Sequence, residues 1–351
     1  MEIELFQKVS ATNKIFLLQN ISVMIKAGVP LADSLSTLAS QTNNKKLKTI
    51  LTDVQQKIKE GKNFSESLEP YQKNFGELFI NMIRAGEASG QLDEVINKLY
   101  VQTKKDHELV QKVRNAMTYP VIIILAMFGI GTFMIVFVLP NITKLFSDLD
   151  VQLPITTRIL IGFSDFVQTN GILVMIGIIV FVVSFGKAIR TKKGKHIFDS
   201  ITLRLPIVGK IIKKINLARA ARNLSSLIKT DITIVETLEI TSRILGNSHY
   251  RKALLESAEE VKKGNKMADI LKSYPLLFPP NIIQMISVGE ETGSLDEVLE
   301  NLAGFYEEEV YNTMENLPII IEPVLMILIG IAVGGIALAI MTPMMTLTQS
   351  F

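Results

Sequence analysis

The chain has no cysteine in its 351 residues, which excludes disulfides, thiolate catalysis and cysteine-ligated metals. Its three histidines, His107, His196 and His249, are far apart in sequence, with no HxxxH or HExxH spacing. Each therefore reads as a solvated surface residue rather than a metal ligand. There is no GxxxxGK(S/T) phosphate cradle and no GxSxG elbow, so nucleotide hydrolysis by a P-loop and acyl transfer from a strained serine find no support. No alternating strand pattern competes with helix. The first 14 residues, MEIELFQKVSATNK, lack an apolar core run, so no cleavable signal peptide is visible and the chain is expected to start on the cytoplasmic side.

Charge is missing from three long runs. Val121 to Leu139 reads VIIILAMFGIGTFMIVFVL, Phe166 to Gly186 holds GILVMIGIIVFVVSFG, and the segment from Pro323 onward holds PVLMILIGIAVGGIALAIM. With 48% hydrophobic residues and a mean hydropathy of +0.32, the chain is too apolar for an ordinary soluble protein. A helix needs about 20 apolar residues to cross a bilayer core, and each run qualifies. For the middle run, whose apolar part is shortest, a buried core helix is the alternative.

The net charge is only +3, but lysine and arginine are unevenly placed. Lys104, Lys105, Lys112 and Arg114 precede the first run, and Lys187, Arg190, Lys192, Lys193 and Lys195 follow the second, whereas residues 140–169 carry only Lys144 and Arg158. The positive-inside rule then puts the N-terminus in the cytoplasm and the C-terminus outside. The basic run after residue 186 reads as an anchor to the anionic inner leaflet; nucleic-acid contact is the alternative.

The phrase GEASGQLDEV, Gly86 to Val95, returns as GEETGSLDEV, Gly289 to Val298. The offset of 203 also pairs Lys26, Leu35, Gly61, Tyr71, Phe75, Met82, Leu99, Pro120, Gly131 and Pro140 with identical residues. A duplication thus runs over about 14–147 and 217–350. Two copies with the same orientation need one unduplicated span between them, and the middle run supplies it; parallel repeats of this kind imply an axis along the membrane normal. The fold class that follows is an all-α integral membrane protein with two tandem homologous cytoplasmic helical-bundle domains and three transmembrane helices. The expected segments are a cytoplasmic domain over 1–117, a span over 118–140, an extracytoplasmic loop over 141–165 and a second span over 166–187. A second cytoplasmic domain over 188–317, a third span over 318–342 and a tail over 343–351 complete the chain.

Each domain is expected to hold about six short helices. Leu47, Ile50, Leu51, Val54 and Ile58 form one apolar stripe, as do Leu92, Val95, Ile96 and Leu99. Gly28 and Pro30 mark a helix stop and start; the second copy has Asp231 and Thr233 there, and Thr233 with Glu236 offers a capping box. Asn63 to Glu66, NFSE, has similar capping chemistry. Within the repeated phrase, Gly90 and Gly293 are placed to end a helix, and Asp93, Glu94, Asp296 and Glu297 fall in the next first turn, where the dipole favours acids. Gly86 and Gly289 admit a close neighbouring helix. Glu87 and Glu290 have no role in this scheme. The alternative for the whole phrase is an acidic surface for a basic partner or a divalent cation. Glu322, at the inner edge of the third span, either snorkels to the interface or meets a partner's membrane helix. Gly330 to Gly334, GIAVG, suits close helix packing.

These features together resemble the F-family platform proteins of type II secretion, type IV pilus and competence machines. Both copies carry the GExxGxL phrase, and the stretch LPIVGKIIKKINLARAARNLSSLIKTDITIVETLEI supplies the family's P-x-x-G and A-R-x-x-R run as Pro206, Gly209, Ala218, Arg219 and Arg222. Many family members carry a further N-terminal segment. This chain begins almost at its first repeat, which leans toward the shorter pilus or competence members. The resemblance implies a non-enzymatic inner-membrane platform that binds no cofactor. Its expected partners are a cytoplasmic hexameric ATPase, pilin or pseudopilin subunits, other inner-membrane assembly proteins, the lipid bilayer and further copies of itself, with no nucleic acid. A small transporter or channel, and a membrane enzyme using Glu87, Asp93, Glu290 and Asp296, are the competing readings. The interval from Leu92 to Pro120 has no Gly or Pro before its end, so a helix there would reach roughly 40 Å and is expected to carry motion into the first span.

Overall fold

The stripe Leu47, Ile50, Leu51 and Val54 is buried on one helix, Lys45–Lys59. Fully burying side chains of this kind contributes about 1.5–3 kcal/mol each, enough for one face to organise a set of short helices. In chain order these are α1 (Ala11–Lys26), α2 (Leu31–Gln41), α3 (Lys45–Lys59), α4 (Phe64–Leu68), α5 (Gln72–Phe75) and α6 (Glu77–Ser89), before the long α7 (Leu92–Phe133). An apolar helix α8 (Gly171–Arg190) and a basic helix α9 (Lys192–Arg204) follow. Next come α10 (Val208–Ile228), α11 (Ile234–Ile244), α12 (Ser248–Lys262), α13 (Met267–Leu271), α14 (Pro280–Thr292) and α15 (Leu295–Gln349). The structure, a computed structural model, describes residues 9–138, 140, 162 and 164–349, and among them there is no strand. The loop expected over 141–165 lies almost wholly outside the described residues.

The repeat is geometric as well as textual. The offset that aligns the two sequences carries both ends of α2, α3, α4 and α6 onto the ends of α11, α12, α13 and α14, and the start of α7 onto that of α15. The turns repeat too: Gly90 and Gly293 close α6 and α14 in the left-handed conformation, at φ 71° and 72°. At the first junction Gly28 has φ 81° and its counterpart Asp231 has φ 59°, the one positive-φ residue other than glycine among those described. Aspartate tolerates that region through its short polar side chain, at a cost glycine does not have. Thr233 caps α11 by accepting from the Glu236 amide.

The chain divides into two compact units, Met1–Gln111 with His196–Tyr311, and Lys112–Lys195 with Asn312–Phe351. The first unit holds both polar copies. Its two cores are not separate: Leu227 and Ile240 of the second copy are buried in the first copy's core, and Leu109 of α7 packs on the second copy's core. The tandem bundles therefore share residues across their joint.

In the second unit the sequence dictates the opposite surface. Among the described residues three helices are long and apolar enough to cross a membrane, and the most apolar windows of α7 and α8 have none of their residues buried within the chain. Ile172 is 76% exposed and Phe181 68%. A core helix would bury such side chains, so the alternative for the middle run does not hold. The span-forming part of α7 contains Pro120, and α15 contains Pro323; apolar spans tolerate proline where soluble helices break.

Candidate functional site: the doubled glutamate clamp and the joint between the copies

The repeated phrase builds the same device twice. Gly86 lies in α6 opposite the first turn of α7, and a Cβ there would sit 2.8 Å from Val95 Cγ2. At Gly289 it would meet Leu295 Cα at 3.1 Å. In the first copy a side chain there would force a shift, and in the second it would be tighter than an ordinary contact, so glycine suits the close approach of the two helices in each. One residue on, the Glu87 carboxylate reaches across to the start of α4. It accepts from the Phe64 amide at 2.5 Å, the Ser65 amide at 3.0 Å and the Ser65 hydroxyl at 2.5 Å. Glu290 does the same for α13, accepting from the Met267 amide at 2.7 Å and the Ala268 amide at 3.0 Å. The first amides of a helix have no intrahelical partner, and here a carboxylate from a distant helix takes that place. Asn63, expected to cap α4, makes no side-chain cap bond; the cap comes instead from Glu87 on α6.

The remaining acids of the phrase do not converge on these glutamates. Asp93 and Glu94 stand in the first turn of α7, and Asp296 and Glu297 in that of α15. Glu94 pairs with Lys98 at 2.8 Å. Ser225 donates to the Asp296 carbonyl. Glu322 is exposed within α15. Among the described residues no three His, Asp or Glu side chains gather in a way that could hold a metal ion. A second repeated bond joins α3 to the turn after α4: Tyr71 donates to Asp53 at 2.8 Å, and Tyr274 donates to Glu256. Burial, then the Asp53 carboxylate, pushes the Tyr71 phenol up to about 12.

Between the copies, α10 lies along α7. Asn223 accepts from the Gln102 amide at 2.6 Å, Ser226 donates to Gln102 at 2.9 Å, and Arg219 pairs with Asp106 at 2.8 Å. Lys98 donates to the Lys229 carbonyl at 2.7 Å, and Arg243 on α11 meets Glu77 on α6 at 2.7 Å. The A-R-x-x-R run now has a division of labour. Arg219 holds the first copy, whereas Arg222, on the next turn, makes a two-pronged bond at 2.8 Å to Glu307 of its own copy. A cleft of about 270 Å³ opens at this joint, lined by Lys14, Glu77, Gln102, Asp106, Arg219 and Asn223 among others. Burial lowers the Lys14 ammonium, partly offset by Asp106. Both acids of the cleft already pair with arginines, so it holds structural ion pairs rather than acid–base machinery. Sequence reasoning missed Gln102 and Asn223. For Gln102 the available signal was where the repeat departs from itself, since the counterparts of Gln102 and Ser226 are Phe305 and Val23; Asn223 has the identical counterpart Asn20 and gave no such signal.

Two histidines far apart in the sequence meet at the surface, where His196 is exposed as expected and His249 is half-buried. His196 and His249 lie with ring centroids 4.4 Å apart, His249 Nε2 is 2.7 Å from the Ser200 hydroxyl, and Asp199 accepts from the Ser248 amide at 2.7 Å. Burial, and then the neighbouring His196, lowers the basicity of His249. Their wide separation along the chain hid the pair from any spacing rule.

Comparison with known proteins agrees with this doubled plan. The family model described as type II secretion system (T2SS), protein F matches residues 17–140 and again 220–343, the same offset of 203. The type IV pilus assembly protein PilC of Myxococcus xanthus is 33% identical over 329 residues, covering 94% of this chain and 79% of that protein. PilC of Thermus thermophilus is 34% identical over 326 residues, 93% of this chain and 80% of that protein. The type II secretion system protein F of Pseudomonas aeruginosa is 30% identical over 340 residues, 97% of this chain and 84% of that protein. With both copies matched, three apolar helices of membrane-crossing length and the relatives covered over most of their extent, the chain is a multi-pass membrane protein belonging to the type II secretion system protein F family.

Proposed function

We propose that this chain is a non-enzymatic inner-membrane platform for assembling a type IV pilus or a secretion pseudopilus. In this reading it couples a cytoplasmic hexameric ATPase to the extraction and polymerisation of pilin-like subunits, and it works as a homo-oligomer. The observation that carries the proposal is similarity along 94% of the chain to a protein named for type IV pilus assembly. The names of the secretion-system relatives support the same class of machine. The reading also places the first compact unit in the cytoplasm and the C-terminus outside. Lysine and arginine before the first apolar run and after the second support that orientation. Each copy's core also takes residues from the other copy, which supports one compartment for both.

In this scheme α7 and α15 are the moving parts. Each runs without interruption from a glycine-closed turn into an apolar stretch, and at about 1.5 Å per residue α7 alone is roughly 63 Å long. The Glu87 and Glu290 clamps tie α6 and α14, the helices just before each lever, to α4 and α13. The test is a two-glycine insertion between Asn115 and Ala116, beyond the joint at Gln102, assayed in a deletion strain. Loss of surface filaments with normal membrane levels and retained co-purification of the ATPase is the expected result. Unchanged filament assembly would count against the lever. For orientation, Gln56→Cys and Glu259→Cys should both resist a membrane-impermeant maleimide in intact cells; labelling of either overturns the topology.

A further inference from the structure

The joint between the copies uses one face of each, and the repeat supplies a second, uncovered version of both faces. On α10, Arg219, Asn223 and Ser226 stand at i, i+4 and i+7 and meet Asp106 and Gln102 of α7. Their counterparts on α1 are Phe16, Asn20 and Val23, on the same stripe of a helix descended from the same ancestor. The described residues leave that stripe open: Phe16 is 40% exposed and Val23 64%. Val29 is exposed as well, although its counterpart Ile232 packs against the first copy's core. The other half of the joint shows the same contrast. Gln102 is 7% exposed and its counterpart Phe305 is 51%; Met82 is fully buried on α6, which packs on α11, and its counterpart Met285 on α14 is 38% exposed.

The joint is heterologous, since α10 of one copy meets α7 of the other. Such a contact leaves one unused face of each kind, and a further unit can dock there in the same way. The unused faces are also the more apolar ones, with Phe16 for Arg219, Val23 for Ser226 and Phe305 for Gln102. Exposed apolar side chains aligned on one face mark an interaction surface. We propose that the α1 face of one molecule, Phe16, Asn20 and Val23, docks on the α14–α15 face of a second copy of this chain, at Met285 and Phe305. The contact repeats, between chains, the way α10 lies on α7 within one chain. It is head-to-tail and not self-complementary, so it closes rings or extends into open assemblies and does not stop at a twofold dimer. This inference rests on the chain's self-association and names the surface that performs it.

The absence of native cysteine makes the test direct. Asn20→Cys and Phe305→Cys stand where the Asn223–Gln102 pair stands in the internal joint, and a disulfide forms only when Cα atoms approach within about 7 Å. Full-length chains carrying one substitution each, with different tags, are co-expressed and oxidised in membranes. The expected result is a mixed covalent dimer, and a ladder of dimer, trimer and larger species from the double variant. Disulfides joining 20 to 20 or 305 to 305, without the mixed product, overturn the head-to-tail geometry. An oligomer in nanodiscs that gives no disulfide overturns this surface while leaving self-association standing. A monomer overturns both. Shielding of the Asn20→Cys thiol by lipid in a monomer overturns the proposal in favour of a membrane-facing stripe.

Discussion

Glu87→Ala is the sharpest probe of the repeated phrase. In the folded chain its carboxylate accepts three hydrogen bonds from Phe64 and Ser65, and both residues are buried, at 3% and 2% exposure. Water cannot readily replace the lost acceptor there. A hydrogen bond to a charged group contributes about 1.5–3 kcal/mol, and loss of a helix cap costs about 0.5–2 kcal/mol, so the α4 start should be weakened by about 2–3 kcal/mol. That corresponds to an opening equilibrium raised about 30- to 150-fold. Hydrogen exchange of the full-length chain in micelles, read on a peptide spanning residues 62–70, measures it directly. Glu290→Ala removes two amide bonds and no hydroxyl bond, so the effect at Met267 and Ala268 should be smaller. Glu87→Gln keeps one acceptor and should fall between. If exchange at Phe64 and Ser65 were unchanged while partner binding was lost, the clamp would be wrong and Glu87 would belong to a contact surface.

Three further outcomes follow from the geometry. Arg222→Ala leaves Glu307 half-buried without its two-pronged partner and should cost about 2–4 kcal/mol, with Arg222→Lys recovering only part because one ammonium cannot fork; thermal unfolding in micelles checks both. Asp231→Gly relieves a left-handed aspartate and should stabilise the chain by about 0.5–1 kcal/mol, whereas Gly28→Asp should destabilise it. His249 has its folded basicity lowered from 6.5 by burial and by His196, against an opposing pull from Asp199 and with Lys252 adding to the lowering. Its contribution is therefore whole above pH 6.5 and is lost as pH falls through that value toward the lowered one. Melting temperature should drop over that window, and His249→Gln should flatten the slope; an unchanged slope refutes the assignment.

Much of this architecture could be read from the chain because its signals are local or periodic. Uncharged runs report the spans through the cost of charge in lipid. The stripes at Leu47 and Leu92 report helices through 3.6-residue geometry. The repeat offset reports duplication because both copies must satisfy the same turns at Gly61, Gly90 and their partners. What stayed hidden depends on pairing across distance. Glu87 had no role in the sequence because its partners, Phe64 and Ser65, lie on another helix. Asn63 looked like the cap of α4 because capping rules count neighbours and cannot see a carboxylate arriving from α6. His196 and His249 looked separate for the same reason.

The sequence by itself determined the helices, the spans and the duplication, since propensity and hydropathy are properties of neighbouring residues and repetition needs only the chain compared with itself; the family came from similarity to known proteins. Only the tertiary structure decided that each copy's core takes residues from the other, that Gln102 and Asn223 join them, and that Phe16 and Phe305 are left uncovered. The physical reason is that two copies with equivalent faces can make a heterologous joint through only one face of each, and which faces remain open depends on how the chain is packed in space.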